Sequence, residues 1–332
     1  MKNLQEATER ICELKGSLVA LDTLVPALID ALPAPVRARL QGSFDAHAEV
    51  ARTLILHADI SDLVLSSFER DVARIAASLR STAAPARTGP TEAVLLTAAP
   101  ITTFARYRSL TSASGFFYRR DERLFLVSNR HVFCDATSGH QPDHIEVVLH
   151  TDAQDLSRSA VLGLPLFRDG RALWREASDQ AGTVDVAAIE IAPGQLPANA
   201  VLRAFEAHHL ETGDEDIAIG DALTIVGFPL GFHDTVHHLA VARSASLASA
   251  YGIRFQRQGC FLTDARTHRG SSGAPVLRRR HGREAGGDLP WQLIGVHSTR
   301  MDMSSRDEAQ DESLGLNLAW YADVLNTLTA DH

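Results

Sequence analysis

The chain has 332 residues, 45% of them hydrophobic and 22% charged, with a net charge of −9 at neutral pH. That length suits two domains, or one large all-β domain with an appendage, and the balance excludes the disordered and membrane-embedded classes. The acidic surplus also argues against nucleic acid as a partner, because phosphate binding needs a dense basic surface.

The first residues, "MKNLQEATERICELKG", carry charges throughout and lack a continuous apolar core, so no signal peptide is read. No later stretch has the length and apolarity of a membrane span, and a cytoplasmic location is expected. Cys12, Cys134 and Cys260 are an odd number at wide spacings, which fits reduced thiols better than a disulfide framework or a zinc site.

From Leu4 to Leu32 apolar residues recur at three, four or seven, the period of one helix face. Pro33 and Pro35 stop that helix; a second is expected over about Val36 to His57 and a third over about Ser61 to Leu79. Residues 1–80 therefore read as a helical domain for regulation or interaction, with a docking partner or self-association through its leucine face as the device. The aperiodic "STAAPARTGP" at 81–90 opens a linker over 81–91.

Beyond it the pattern changes. Short runs such as "GFFYRR", "RLFLVSN", "HIEVVLH", "DVAAIEI", "ALTIVGF" and "WQLIGVH" alternate with glycine, proline and charged turns, which predicts many short strands in a sandwich or a pair of barrels over 92–332. The charged segment from Met301 to Ser313 reads as a surface loop, and "LAWYADVLNTL" at 318–328 as a closing helix.

The β-rich part holds three groups whose chemistry belongs together. A serine hydroxyl becomes a nucleophile when a histidine takes its proton, a carboxylate orients that imidazole, and amide donors await the oxyanion. "LFLVSNRHVF" delivers His131 at a strand end, "TVDVAAIEI" offers Asp185, and "HRGSSGAPVL" sets Ser272 two residues after Gly270.

With those flanks, the order His, Asp, Ser resembles the chymotrypsin-like serine peptidases, notably the bacterial trypsin-like branch with the high-temperature-requirement proteases and the glutamyl endopeptidases. "SASGFFYRRDERLFLVSNRHVF", "DVAAIEI", "GDALTIVGFPLG", "GSSGAPV" and "LIGVHS" are similar to five of the family's segments in the family's order. The resemblance covers roughly residues 92 to 328 and implies a mostly β fold, a double β-barrel. It implies Ser272 as nucleophile, His131 as base and then acid, Asp185 as orienting carboxylate, and the amides of Gly270 and Ser272 as oxyanion hole. Ser271 stands where digestive proteases carry an aspartate, so activation by a new N-terminus is not expected.

Thr267 and His297 match residues that line the first specificity pocket in glutamyl endopeptidases. With Arg266, the neighbouring Arg269 and Ser298, they imply a pocket for an acidic or polar residue before the scissile bond. The substrate is then a protein or peptide, and no cofactor is implied.

Other residues offer competing chemistry. Asp179 in "SDQAGTVD" is the rival carboxylate, but it sits in a polar loop. His233, His237 and His238, like His208 and His209, lack a recognisable ligand spacing, so no metal is expected. Cys134, close to His131, reads as a packed thiol. Ala274 and the residue order exclude the nucleophile elbow of the α/β-hydrolases. A quality-control protease with a peptide-binding domain after the barrels is not expected, since the chain ends at His332. The remaining alternative is a catalytically silent protease fold that binds peptides.

Overall fold

The computed structural model describes residues 91–210, 217–234, 236–280, 289–300 and 315–331, the helix 34–56, and short pieces between residues 24 and 79. The chain divides into two compact units, 1–88 and 89–332.

In the first unit a helix, α1, spans Ala34–Leu56 where the second helix was expected. Pro35 suits its first turn, where a missing N–H goes unused. Ala48 is buried, as are Ile29, Ala76 and Leu79 in the short helical pieces. Arg52 of α1 donates to Glu69 through Nε at 2.6 Å and Nη2 at 2.9 Å. Most of the first and third expected helices, the linker at 81–90 and the loop at 301–313 lie outside the described residues.

The second unit is built of antiparallel strands. β1 (Ala98–Ala105), β2 (Arg108–Arg120), β3 (Arg123–Ser128), β4 (His144–His150), β5 (Ser159–Pro165), β8 (Trp174–Asp179) and β9 (Gly182–Ile191) form one sheet in the order β5-β4-β1-β2-β3-β9-β8. A small ribbon pairs β6 (Phe167–Arg168) with β7 (Arg171–Ala172). The remaining strands are β10 (Ala222–Gly227), β11 (Val241–Leu247), β12 (Cys260–Asp264), β13 (Pro275–Arg279), β14 (Trp291–Arg300) and β15 (Leu316–Tyr321). They close into a six-stranded barrel in the order β10-β11-β12-β15-β14-β13, which leaves no exposed edge. A one-turn helix, α2 (Arg130–Phe133), follows β3, and α3 (Val324–Leu328) ends the unit.

The burial of β3 explains its composition. Leu124 and Leu126 point into the core inside the sheet, while Phe125 and Val127 point into a second core shared with the barrel. A strand covered on both faces needs a continuous apolar run rather than alternation, and "LFLV" is that run. β9 behaves alike: Val184, Val186 and Ala188 face the shared core, and Ala187, Ile189 and Ile191 face the sheet's own. A third core, with Ile225, Phe261, Val276 and Ile294, fills the barrel.

One expected element differs. The stretch 318–328 is not a single helix: through Tyr321 it belongs to β15, and only Val324–Leu328 is helical. Leu318 and Trp320 pair with Leu262 and Cys260 of β12, and Trp320 also with Val296 of β14. Closing the barrel between those two strands outweighs the local helical period.

Candidate active site

β3 is buried up to Ser128, and the chain then turns through Asn129 into α2, so His131 emerges where the sheet ends. Asn129 holds this corner by donating Nδ2 to the Asp185 carbonyl at 2.7 Å. Asp185 is the fourth residue of β9 and shares the parity of Ala187 and Ile189. Its Oδ1 accepts the His131 backbone N–H at 2.9 Å, and its Oδ2 pairs with His131 Nδ1 at 2.7 Å. A carboxylate in that place fixes the tautomer with the proton on Nδ1 and leaves Nε2 as the free base.

The barrel supplies the remainder. Ser298, on β14, donates its hydroxyl to Asp185 Oδ2 at 2.6 Å, and its carbonyl accepts Ser272 Oγ at 3.1 Å. One residue thus touches both the carboxylate and the candidate nucleophile, and it brings Ser272 into the neighbourhood of the His131–Asp185 pair. The Ser272 hydroxyl is directed at the Ser298 carbonyl in this structure, not at the imidazole.

Ser272 follows a tight turn. Ser271 N–H donates to His268 O at 3.2 Å, and Gly270, third of the four turn residues, has φ +90°. That positive φ defines a type II turn and favours glycine. Space demands it as well: a Cβ on Gly270 would lie 2.6 Å from the Phe228 carbonyl and 2.9 Å from the Leu230 nitrogen. The Leu230 N–H donates to the Arg269 carbonyl at 2.5 Å. In a planar trans peptide the C=O and N–H point oppositely, so this bond turns the Gly270 N–H away from Leu230. Among the described residues neither the Gly270 nor the Ser272 amide donates a hydrogen bond, as a pair of oxyanion donors requires.

Of the expected pocket residues, Thr267 and His297 are buried and Arg266 is exposed. Thr267 Oγ1 lies 2.5 Å from Asn317 Oδ1, to which it donates, and the Asn317 amide is fixed by the Ala265 carbonyl at 2.6 Å. His297 is 2% exposed, and among the described residues its buried Nδ1 has no partner. Burial, and then the charge of His131, push its pKa down to about 4, so the ring is neutral at pH 7. Ser298, expected in the pocket, has its hydroxyl on Asp185; nothing in "LIGVHS" signals which way that hydroxyl turns.

The rival residues are otherwise occupied. Asp179 ends β8 rather than lying in a loop, and it pairs with Arg254 and accepts the Ala181 N–H at 2.7 Å. His233 Nδ1 pairs with the Gly231 carbonyl at 2.7 Å and His237 Nδ1 with Asp234 at 2.5 Å. Among the described residues no set of three histidine, cysteine or carboxylate side chains is arranged to hold a metal.

No curated protein matches the chain. A serine endoprotease from Yersinia pestis is among the solved structures it resembles: 14% identical, with a TM-score of 0.44 and a match over 72% of this chain. The match takes in 65% of the Yersinia chain. The model of the trypsin-like peptidase domain matches residues 113–286, over half of the chain and the segment that carries His131, Asp185 and Ser272. The protein therefore belongs to the trypsin-like peptidase family.

Proposed function

We propose that the protein is a serine endopeptidase that cleaves peptide bonds through Ser272, His131 and Asp185. The observation that carries this reading is the His131–Asp185 pair, bonded through both backbone and ring, with Ser272 one hydrogen bond away from the Ser298 that completes the carboxylate's shell. In the reaction Ser272 Oγ turns from the Ser298 carbonyl to His131 Nε2 and gives up its proton as it attacks the scissile carbonyl. The amides of Gly270 and Ser272 hold the oxyanion. His131 then protonates the leaving amine, and water, activated by the same imidazole, releases the acid from the acyl-enzyme.

His297 and Thr267 support a preference for an acidic or polar side chain before the scissile bond. They stand at the positions that line the first pocket in glutamyl endopeptidases, and the exposed Arg266 and Arg269, beside Thr267 in sequence, lend positive potential. Residues 1–80 are assigned to regulation or recruitment, joined by the linker at 81–91 to the peptidase domain. Cys134 and Cys260 are free thiols, which suits a reducing, cytoplasmic setting. Among the described residues no helix is long and apolar enough to cross a membrane.

The direction of the Ser272 hydroxyl favours a second reading, a protease fold that binds peptides without cutting them. A fluorophosphonate probe separates the two. Labelling of the full chain at Ser272, abolished by Ser272→Ala and located by mass spectrometry, is the expected result; an unlabelled wild type overturns the enzyme in favour of the scaffold. Peptides that differ only before the scissile bond then test the pocket, with glutamate expected to be cut fastest.

A further inference from the structure

Two buried serines that the mechanism does not use lie between the sheet and the nucleophile loop. Ser114 of β2 and Ser128 of β3 are both fully buried. The Ser128 hydroxyl donates to the Ser114 carbonyl at 2.8 Å. The Ser114 backbone N–H donates to the Ser272 carbonyl at 2.9 Å. The Ser114 hydroxyl accepts the Phe228 N–H at 2.9 Å and donates to the Gly270 carbonyl at 2.8 Å. The chain of bonds runs from the strand that delivers His131 to the turn that carries the oxyanion donors.

Gly270 is the free joint in that turn. The peptide plane before it is held by the Leu230 N–H on the Arg269 carbonyl. The plane after it is held by the Ser114 hydroxyl on the Gly270 carbonyl. The Gly270 N–H lies in the first of these planes, so the Leu230 bond sets its direction; a glycine has little conformational preference of its own, so the Ser114 bond fixes how the plane after it, and with it the chain leading to Ser272, sits against that N–H. The surroundings are cut to fit: a Cβ on Gly227 would lie 2.6 Å from Ser114 Oγ, and one on Gly273 would lie 2.2 Å from both Ser114 O and Ser128 Oγ.

We infer that Ser114 is a positioning residue for the oxyanion hole, its hydroxyl locking the second peptide plane of Gly270 and Ser128 bracing it from behind. The inference rests on the peptidase reading. It gives the first sheet a part in the hole besides carrying the acid–base pair.

The test compares p-nitrophenyl acetate with p-nitrophenyl thionoacetate on the full chain, for wild type, Ser114→Ala and Ser128→Ala. Sulfur is a poor hydrogen-bond acceptor, so the thionoester gains little from the hole. In Ser114→Ala the oxygen-ester acylation rate should fall about 100-fold while the thionoester rate stays within about twofold, so the preference for oxygen collapses. An equal fall for both esters marks a merely structural serine and overturns the inference, as does an unchanged oxygen-ester rate. Should Ser114→Ala fail to fold, Ser128→Ala, which removes only the outer bond, carries the same ratio, with a smaller collapse expected and an intact ratio as the overturning result. A wild type that neither turns over the ester nor labels at Ser272 shows instead that the peptidase reading has failed, before any variant is compared.

Discussion

In the seven-stranded sheet the candidate base and carboxylate are tied to each other directly, through the ring and backbone of His131 on one Asp185 carboxylate. In the six-stranded barrel the candidate nucleophile is placed by peptide planes: a type II turn, a glycine with positive φ, and carbonyls held by Leu230 and Ser114. The two halves therefore differ in what a mutation can break. Side-chain chemistry is exposed in the sheet, and backbone geometry in the barrel. The Ser272 hydroxyl rests on the Ser298 carbonyl, and in the proposed reaction it leaves that carbonyl for the base.

The largest effect tests the sheet. Asp185→Asn keeps the shape but replaces an acceptor of three hydrogen bonds with a group that offers its own N–H to the imidazole. The wrong tautomer follows, and kcat should fall about 10⁴-fold with KM little changed. Steady-state kinetics check this. A loss of only a few-fold would mean that Asp185 does not orient His131.

The next effect tests the barrel. Gly270→Ala forces an alanine to a φ of +90° and puts its Cβ 2.6 Å from the Phe228 carbonyl. The turn has to shift, and with Gly270 as one of the proposed oxyanion donors kcat should fall by about 10²–10³-fold. The His131–Asp185 pair lies outside the turn, so the NMR signal of the Nδ1 proton should persist. Loss of both would refute the separation of the two halves.

Much of this division was legible in the sequence. Short apolar runs such as "RLFLVSN" announced strands, because strand formation depends on local composition, while the burial of β3 on both faces shows only in the fold. Contacts across the fold were not legible. Ser298 reaches Asp185 over 113 residues of sequence and Ser114 reaches Gly270 over 156, and a serine inside an apolar strand carries no mark of its partner. The segment 318–328 misled for a related reason: Leu318, Tyr321, Leu325 and Leu328 fit a helical period, yet the first part is needed to close the barrel between β12 and β14.

The smallest effect concerns a group where the halves meet electrically. His297 lies in the barrel, yet the second cause of its depressed pKa, after burial, is the charge of His131 from the sheet. In the unfolded chain a histidine takes up a proton near its ordinary value of 6.5, whereas the folded protein resists until about pH 4. The unfolded state then binds more protons between those values, so the stability associated with neutral His297 is full above pH 6.5 and is lost as the pH falls towards 4. A gap of that size amounts to about 3 kcal/mol. His297→Gln, which cannot titrate, should therefore lose less stability than the wild type between pH 7 and pH 4 by about that amount, measured by urea unfolding at each pH. Removing the His131 charge as well separates the two causes: burial alone should keep most of the acid sensitivity in His131→Gln, and the part that vanishes is what the sheet imposes on the barrel. Equal acid slopes in the wild type and His297→Gln would mean that the ring is not held neutral in the barrel.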